Sequence, residues 1–193
     1  MSPINFGPSD VNNPHNLFYA HVPESFWITK ALIFDLEWIR REMAKAERAM
    51  PDHTELKLTV QGLKETFLNL RRYEVRIAMT SNLSSAEVVR ELSRLELAND
   101  FDSIRCKDDV KVLKPGTELY QISLDTLGLK PFKAIAFEVT PEGLAGAKAA
   151  GLFCVTPPGE MAGDYTLNSF LEKPILHLLE ELDQKKKAAL VQG

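Results

Sequence analysis

Cysteine is scarce in this chain of 193 residues: Cys106 and Cys154 are the only two, in separate apolar segments with no C-x-x-C spacing. That excludes a disulfide framework and a thiolate zinc centre, and it fits a reducing compartment. Histidine is little better represented, and His15, His21, His53 and His177 show no ligand spacing. His177, inside the apolar stretch Ile175 to Leu179, reads as a helix histidine with a local partner. Positive charge is short as well, with 23 Lys and Arg against 27 Asp and Glu and a net charge of -4. Without a concentrated basic face, nucleic acid is not expected as a partner. Local basic runs are small, and Lys185, Lys186 and Lys187 read as a solvated helix terminus. No apolar run is long enough for a membrane span, so no membrane partner is expected. The first Lys or Arg is Lys30, so no secretory or transit peptide is legible, and a cytoplasmic location follows by default.

What the chain does have is enough apolar residues, 45%, to bury the core of one domain. Residues 1–28 are rich in Pro, Asn and Ser with scattered aromatics (Phe18, Tyr19, Phe26, Trp27), which predicts an irregular arm that docks on the body. Residues 29–193 are expected to form the core domain. There short apolar runs alternate with amphipathic stretches, the pattern of an α/β fold with a central parallel sheet covered by helices. The predicted strands are 31–34, 75–79, 134–137 and 152–155, with a weaker one at 101–106. Ile39, Met43, Ala46 and Met50 recur at helical spacing, as do Val60, Leu63, Phe67 and Leu70. Ser84 and Glu87 form a capping box, Pro115 opens a helix that Gly128 closes, and Thr140-Pro141 opens another that Gly151 closes.

Several polar residues stand where apolar runs end: Asp35 after 31–34, Thr80 with Asn82 after 75–79, and Glu138 with Thr140 after 134–137. In a parallel sheet these junctions gather at the carboxyl edge, where such folds bind ligands. A carboxylate there can attack phosphorus and split one hard displacement into two easier ones, while hydroxyl, amide and lysine donors offset the charge of the group in transfer. Asp35, Thr80, Asn82, Lys114 and Glu138 are the residues of that kind. Taken alone, Asp35 would be an ordinary helix-capping residue. Its order with the others argues for more.

Over residues 30 to 180 the chain resembles the haloacid dehalogenase superfamily, in its β-phosphoglucomutase and phosphoglycolate phosphatase branch. The resemblance implies a Rossmann-like three-layer sandwich. The family's first strand ends in Asp-x-Asp-Gly-Thr, a nucleophile and then a general acid/base; here the stretch is Asp35-Leu36-Glu37-Trp38-Ile39. The second motif matches Thr80-Ser81-Asn82, the third Lys114-Pro115, and the fourth, an acidic pair, Glu138-Val139. By this resemblance Asp35 and Glu37 are catalytic, Thr80, Ser81, Asn82 and Lys114 hold phosphate, and Asp35, Glu37 and Glu138 hold Mg2+.

Three departures fall inside that chemistry. Val139 replaces an aspartate that ligates the metal, and valine offers no oxygen. Glu37 for Asp shifts a carboxyl by one methylene, when a misplacement of about 1 Å can cost about 100-fold. Trp38 replaces a glycine expected at a tight turn, and it either plugs the emptied pocket or, more simply, packs beneath the following helix. The cap that relatives insert after the first motif is expected to be reduced to one helix, residues 39–52. These features predict a phosphatase-like protein with impaired or lost phosphohydrolase activity, a weakened Mg2+ site and a binding or assembly role with a protein partner. The alternative is an active Mg2+-dependent phosphatase that works through an aspartyl phosphate on Asp35, with a phosphorylated small molecule or phosphoprotein as substrate. Metal-free dehalogenation through the same aspartate is a third, weaker option, since no pocket feature specific to it is visible.

Overall fold

The computed structural model describes residues 28–49, 54–110, 116–159 and 161–192. Within them the chain runs β1 (Ala31–Asp35), α1 (Leu36–Ala49), α2 (Thr54–Arg72), β2 (Arg76–Ser81), α3 (Ser85–Arg94), β3 (Ser103–Cys106), α4 (Thr117–Leu127), β4 (Ala134–Phe137), α5 (Pro141–Ala149), β5 (Phe153–Thr156), β6 (Tyr165–Thr166) and α6 (Ile175–Gln192). The described strands form one parallel sheet in the order β3-β2-β1-β4-β5-β6. The order reverses between β1 and β4, so the carboxyl ends of those two strands flank the crevice in which doubly wound sheets bind ligands.

Alternation along β1 divides the core. Leu32 and Phe34 face a large cluster that takes Trp38 and Ile39 from α1, Leu63 and Phe67 from α2, Leu92 from α3 and Leu178 and Leu182 from α6. Ala31 and Ile33 face a smaller one, with Tyr120 and Leu124 from α4 and Ala147 from α5. The second layer is built on small residues and packs close. A Cβ at Gly146 of α5 would lie 2.9 Å from the backbone of Gly116, so glycine there lets α5 press against the start of α4.

Four strand predictions fall within a residue or two of the observed bounds, and the weak one shortens to Ser103–Cys106. The sixth strand, β6, was not expected; with two residues it offers no period to read. The capping box at Ser84 and Glu87 forms, Thr140 caps α5 by accepting from the Gly143 N–H, and Gly128 closes α4 at φ 63°. Cys154 is a small core residue, as expected.

Two expectations need correction. The chain makes no tight turn after Asp35: α1 begins at Leu36, three residues before the predicted start, and Trp38 sits in its first turn. Leu36, Trp38 and Ile39 are all buried, so continuing the helix out of the strand hides three apolar side chains at once. Trp38 packs beneath the helix, edge to face with Phe137 at 5.2 Å between centroids. The lysine run is not uniformly solvated either. Lys185 and Lys187 are exposed, but Lys186 is 2% exposed, because Thr29 and the Ala134 carbonyl accept its ammonium protons. The predicted arm, residues 1–27, lies outside the described residues, as do Lys114 and Pro115. No described helix is long and apolar enough to cross a membrane.

Candidate active site

Strand register builds the site. Asp35 pairs with Thr80 across β1 and β2, and Phe34 pairs with Phe137 across β1 and β4, so Glu138 follows beside Asp35. Alternation turns both carboxyls toward the α4–α5 side. Asp35, Thr80, Asn82 and Glu138 line one small pocket with Gly116, Leu119 and Tyr120 from the start of α4 and Thr140 and Gly143 from the start of α5. Its volume is about 20 Å³, room for one water-sized body.

The two carboxyls face each other, and each is perturbed. Burial pushes Asp35 up to about 6, even though the Glu37 N–H donates to its Oδ1 at 3.3 Å. Glu138 is raised well above the usual carboxylate range, first by burial and then by the neighbouring Asp35. Like charges this close cannot both ionise freely without a counter-charge. The Tyr120 hydroxyl donates to Oε1 of Glu138, whereas Oε2 is buried and has no donor among the described residues.

The remaining expected residues are placed elsewhere. Glu37, expected in both the catalytic and the metal set, does not line the pocket; its carboxylate accepts from Arg40 at 2.7 Å on the half-exposed face of α1. The one-turn spacing of Glu37 and Arg40 on a helix that starts at once explains this. Arg40 in turn stands 3.6 Å from Glu91 on α3. Ser81 is buried and its hydroxyl accepts from the Leu83 N–H at 3.1 Å, closing a local turn rather than facing the pocket. Val139 packs on the large apolar cluster across the sheet from the carboxyls. Thr140 lines the pocket, as its place with Glu138 at the junction after β4 led one to expect, whereas sequence reasoning missed Tyr120 and the part played by Gly143. A Cβ at 143 would lie 2.0 Å from Oε2 of Glu138, so the carboxylate has its place only because that residue is glycine.

Among the described residues no group of three or more His, Cys, Asp or Glu could enclose a metal. Two facing carboxylates, one with an unpartnered buried oxygen, nevertheless match how Mg2+ is often held, by one or two carboxylates with water or phosphate oxygens completing the shell. Asp35 and Glu138 fit the ion; the Glu37 side chain is turned to Arg40, outside the pocket they line.

The family model described as haloacid dehalogenase-like hydrolase matches residues 14–156. The chain is 32% identical over 129 residues to YhcW of Bacillus subtilis, covering 63% of this chain and 59% of YhcW. It is 32% identical over 140 residues to CbbY of Cereibacter sphaeroides, covering 67% and 61%. The phosphorylated carbohydrates phosphatase of Thermotoga maritima is 31% identical over 91 residues, covering 47% and 42%. The chain thus spans about 60% of the length of the first two of these relatives. Among solved structures, CbbY from Rhodobacter sphaeroides in complex with phosphate superposes with a TM-score of 0.55 at 21% identity, covering 75% of this chain and 96% of that one. The β-phosphoglucomutase from Clostridium difficile gives 0.60 at 15%, covering 84% and 99%. Both likenesses speak to the fold.

Proposed function

The chain belongs to the haloacid dehalogenase-like hydrolase family, and from that premise we propose that it is a phosphatase-like domain whose phosphohydrolase activity is impaired or lost. It keeps a weakened Mg2+ site at Asp35 and Glu138 and works by binding, with a protein as partner. The observation that carries this reading is Glu37, whose carboxyl pairs with Arg40 outside the pocket. Hydrolysis through an aspartyl phosphate needs a group that protonates the leaving oxygen and later activates water, within hydrogen-bond reach of both. Glu37 would have to leave Arg40 and turn inward to serve. A further feature supports the reading: Val139 packs on the apolar core, where it offers no oxygen to a metal.

Bound there, Mg2+ would supply charge stabilisation for a phosphoryl group in transfer. The residues' own contribution is narrower: Asp35 offers a carboxylate whose ionisation is delayed by burial, Glu138 an orienting carboxylate, and Thr80 and Asn82 donors at the rim. The test is hydrolysis of a generic aryl phosphate with Mg2+ by the wild-type chain and Asp35→Asn. The reading expects no turnover above the variant. Turnover that Asp35→Asn abolishes would instead establish the active phosphatase, which the gathering of Asp35, Thr80, Asn82 and Glu138 in one pocket favours. A phosphorylated small molecule would then be the first substrate class to screen, since relatives carry names such as phosphorylated carbohydrates phosphatase.

A further inference from the structure

Exposed leucines are ordinary one at a time and informative when they align. Leu58 and Leu68, 55% and 50% exposed, both belong to α2, and their separation of ten residues is about 15 Å along a helix. The helix buries Leu63, Phe67 and Leu70 in the large core cluster, so the pair stands on the side turned away from the sheet. Between the two leucines on that outer side are the exposed Gln61 and Glu65, and the Gln61 amide donates to the Glu65 carboxylate at 3.0 Å. The steps from 58 to 61, 65 and 68 are three, four and three residues, the spacing of a coiled-coil seam. The stripe also reads alike in both directions, since Leu58 and Leu68, and likewise Gln61 and Glu65, are equidistant from Leu63. Grooves run beside it, one of about 510 Å³ along Lys57, Val60 and Lys64 and one of about 590 Å³ along Gly62, Thr66 and Asn69, which makes the stripe a ridge.

We propose that this ridge of α2 is a self-association surface, on which a second copy of the chain packs its own α2 antiparallel about a two-fold axis at the level of Leu63. A two-fold axis demands that a patch be its own complement, residue i meeting j and j meeting i. Here Leu58 meets the partner's Leu68, and Gln61 meets the partner's Glu65. A carboxamide has two N–H donors and a carboxylate two oxygens, so the bond inside the chain leaves a second N–H and a second oxygen for one across the axis. A parallel pairing would set Glu65 against itself and forfeit that match. Basic residues beside the ridge would repel across the axis, but inside the chain Lys64 is paired with Glu96 at 3.2 Å and Arg71 with Asp100 at 3.7 Å. An unrelated protein would ask for no symmetry in the stripe, which is why the occupant is a second copy. The ridge shares no residue with the pocket of Asp35 and Glu138, and either outcome of the aryl phosphate assay leaves it untouched. One helix pair lies at the small end of protein interfaces, so the dimer is weak, with a dissociation constant on the order of 100 μM.

The experiment is sedimentation velocity of the full chain, expected to show monomer at about 10 μM and mostly dimer at about 500 μM. Leu58→Glu combined with Leu68→Glu changes two exposed positions, so it should keep the wild-type melting curve while weakening association on the order of 100-fold. Cross-linking reads the orientation. Because Cys106 and Cys154 are buried, a short bismaleimide should join Leu58→Cys chains to Leu68→Cys chains in a mixture, and neither variant to itself. A monomer at about 500 μM overturns the proposal and leaves the ridge to another occupant. A dimer that survives the double glutamate variant overturns it by placing the contact elsewhere. Cross-linking of Leu58→Cys chains to one another overturns the antiparallel packing on which it rests.

Discussion

The β1–β4 pair carries a buried polar network at each end, and the two are built on opposite principles. At the amino end, Asp183 of α6 accepts from the Ile28 N–H at 2.8 Å, the Thr29 N–H at 3.2 Å and the Thr29 hydroxyl at 2.5 Å. Lys186, one turn further on, donates to that hydroxyl at 3.1 Å and to the Ala134 carbonyl at 3.3 Å. Opposite charges bracket a hydroxyl that both donates and accepts, and the network closes on itself. At the carboxyl end two like charges, Asp35 and Glu138, face each other, and Oε2 of Glu138 has no donor among the described residues. Closure fixes α6 to the sheet. The open network stands at the switch point of the sheet, where a ligand can complete it.

The largest expected effect comes from breaking the closed end. Asp183→Ala removes the acceptor of three donors and leaves the Lys186 ammonium buried without its counter-charge. It should destabilise the protein by about 3–5 kcal/mol, measured as a fall in the urea midpoint at constant slope. That is a large part of the roughly 5–15 kcal/mol that holds a domain together. A loss under 1 kcal/mol would mean that water replaces the carboxylate and that the amino end is no more closed than the site.

A smaller effect follows from the same network through pH. Burial pushes the Lys186 ammonium down from 10.5 to about 8, with Asp183 opposing the shift and Lys133 adding to it. Between those values the unfolded chain holds the proton that the folded chain has released, so stability rises with pH over that window. The gain over the window is up to about 3 kcal/mol, from about 1.4 kcal/mol per pH unit. Unfolding free energies at pH 7.5, 9 and 10.5 as three points of one curve, compared between the wild type and Lys186→Met, isolate this slope from the other titrating groups; parallel curves would show that the amine keeps its water.

The unequal legibility of the two ends in the sequence has a physical reason. Asp35, Thr80 and Glu138 could be found because each interrupts or ends a run of apolar residues, and strand alternation then turns them together. Lys186 sits within a run of three lysines, and its burial depends on Thr29, 157 residues away and just ahead of β1. One signal was available: Leu178, Leu182 and Lys186 continue a single buried helical stripe at i, i+4, i+8. Tyr120 was hidden in the opposite sense. It fits an apolar helix face so well, with Leu124 and Leu127 after it, that only the need of a buried hydroxyl for a partner marks it. The start of α1 was misjudged because a turn was expected on motif grounds at Trp38, whereas burial of Leu36, Trp38 and Ile39 favours an unbroken helix.

The smallest expected effect is also the one that separates Glu37 from the open network. Its ion pair with Arg40 lies at the surface, with the two side chains 44% and 35% exposed, and pairs of that kind contribute about 0–1 kcal/mol. Glu37→Gln should therefore shift stability by less than about 0.5 kcal/mol, leaving Arg40 beside Glu91. It should also leave the Mg2+ affinity of the Asp35–Glu138 pair within about twofold, since a group outside the pocket gives up no ligand. Loss of a true carboxylate ligand would behave otherwise. A drop of about tenfold or more in calorimetry would mean that Glu37 leaves Arg40 to join the ion, and the carboxyl end would then hold three carboxylates instead of two. The contrast with the amino end would sharpen in that case, because a site that recruits a surface residue on binding is assembled by its ligand, whereas Asp183, Thr29 and Lys186 are assembled by the fold.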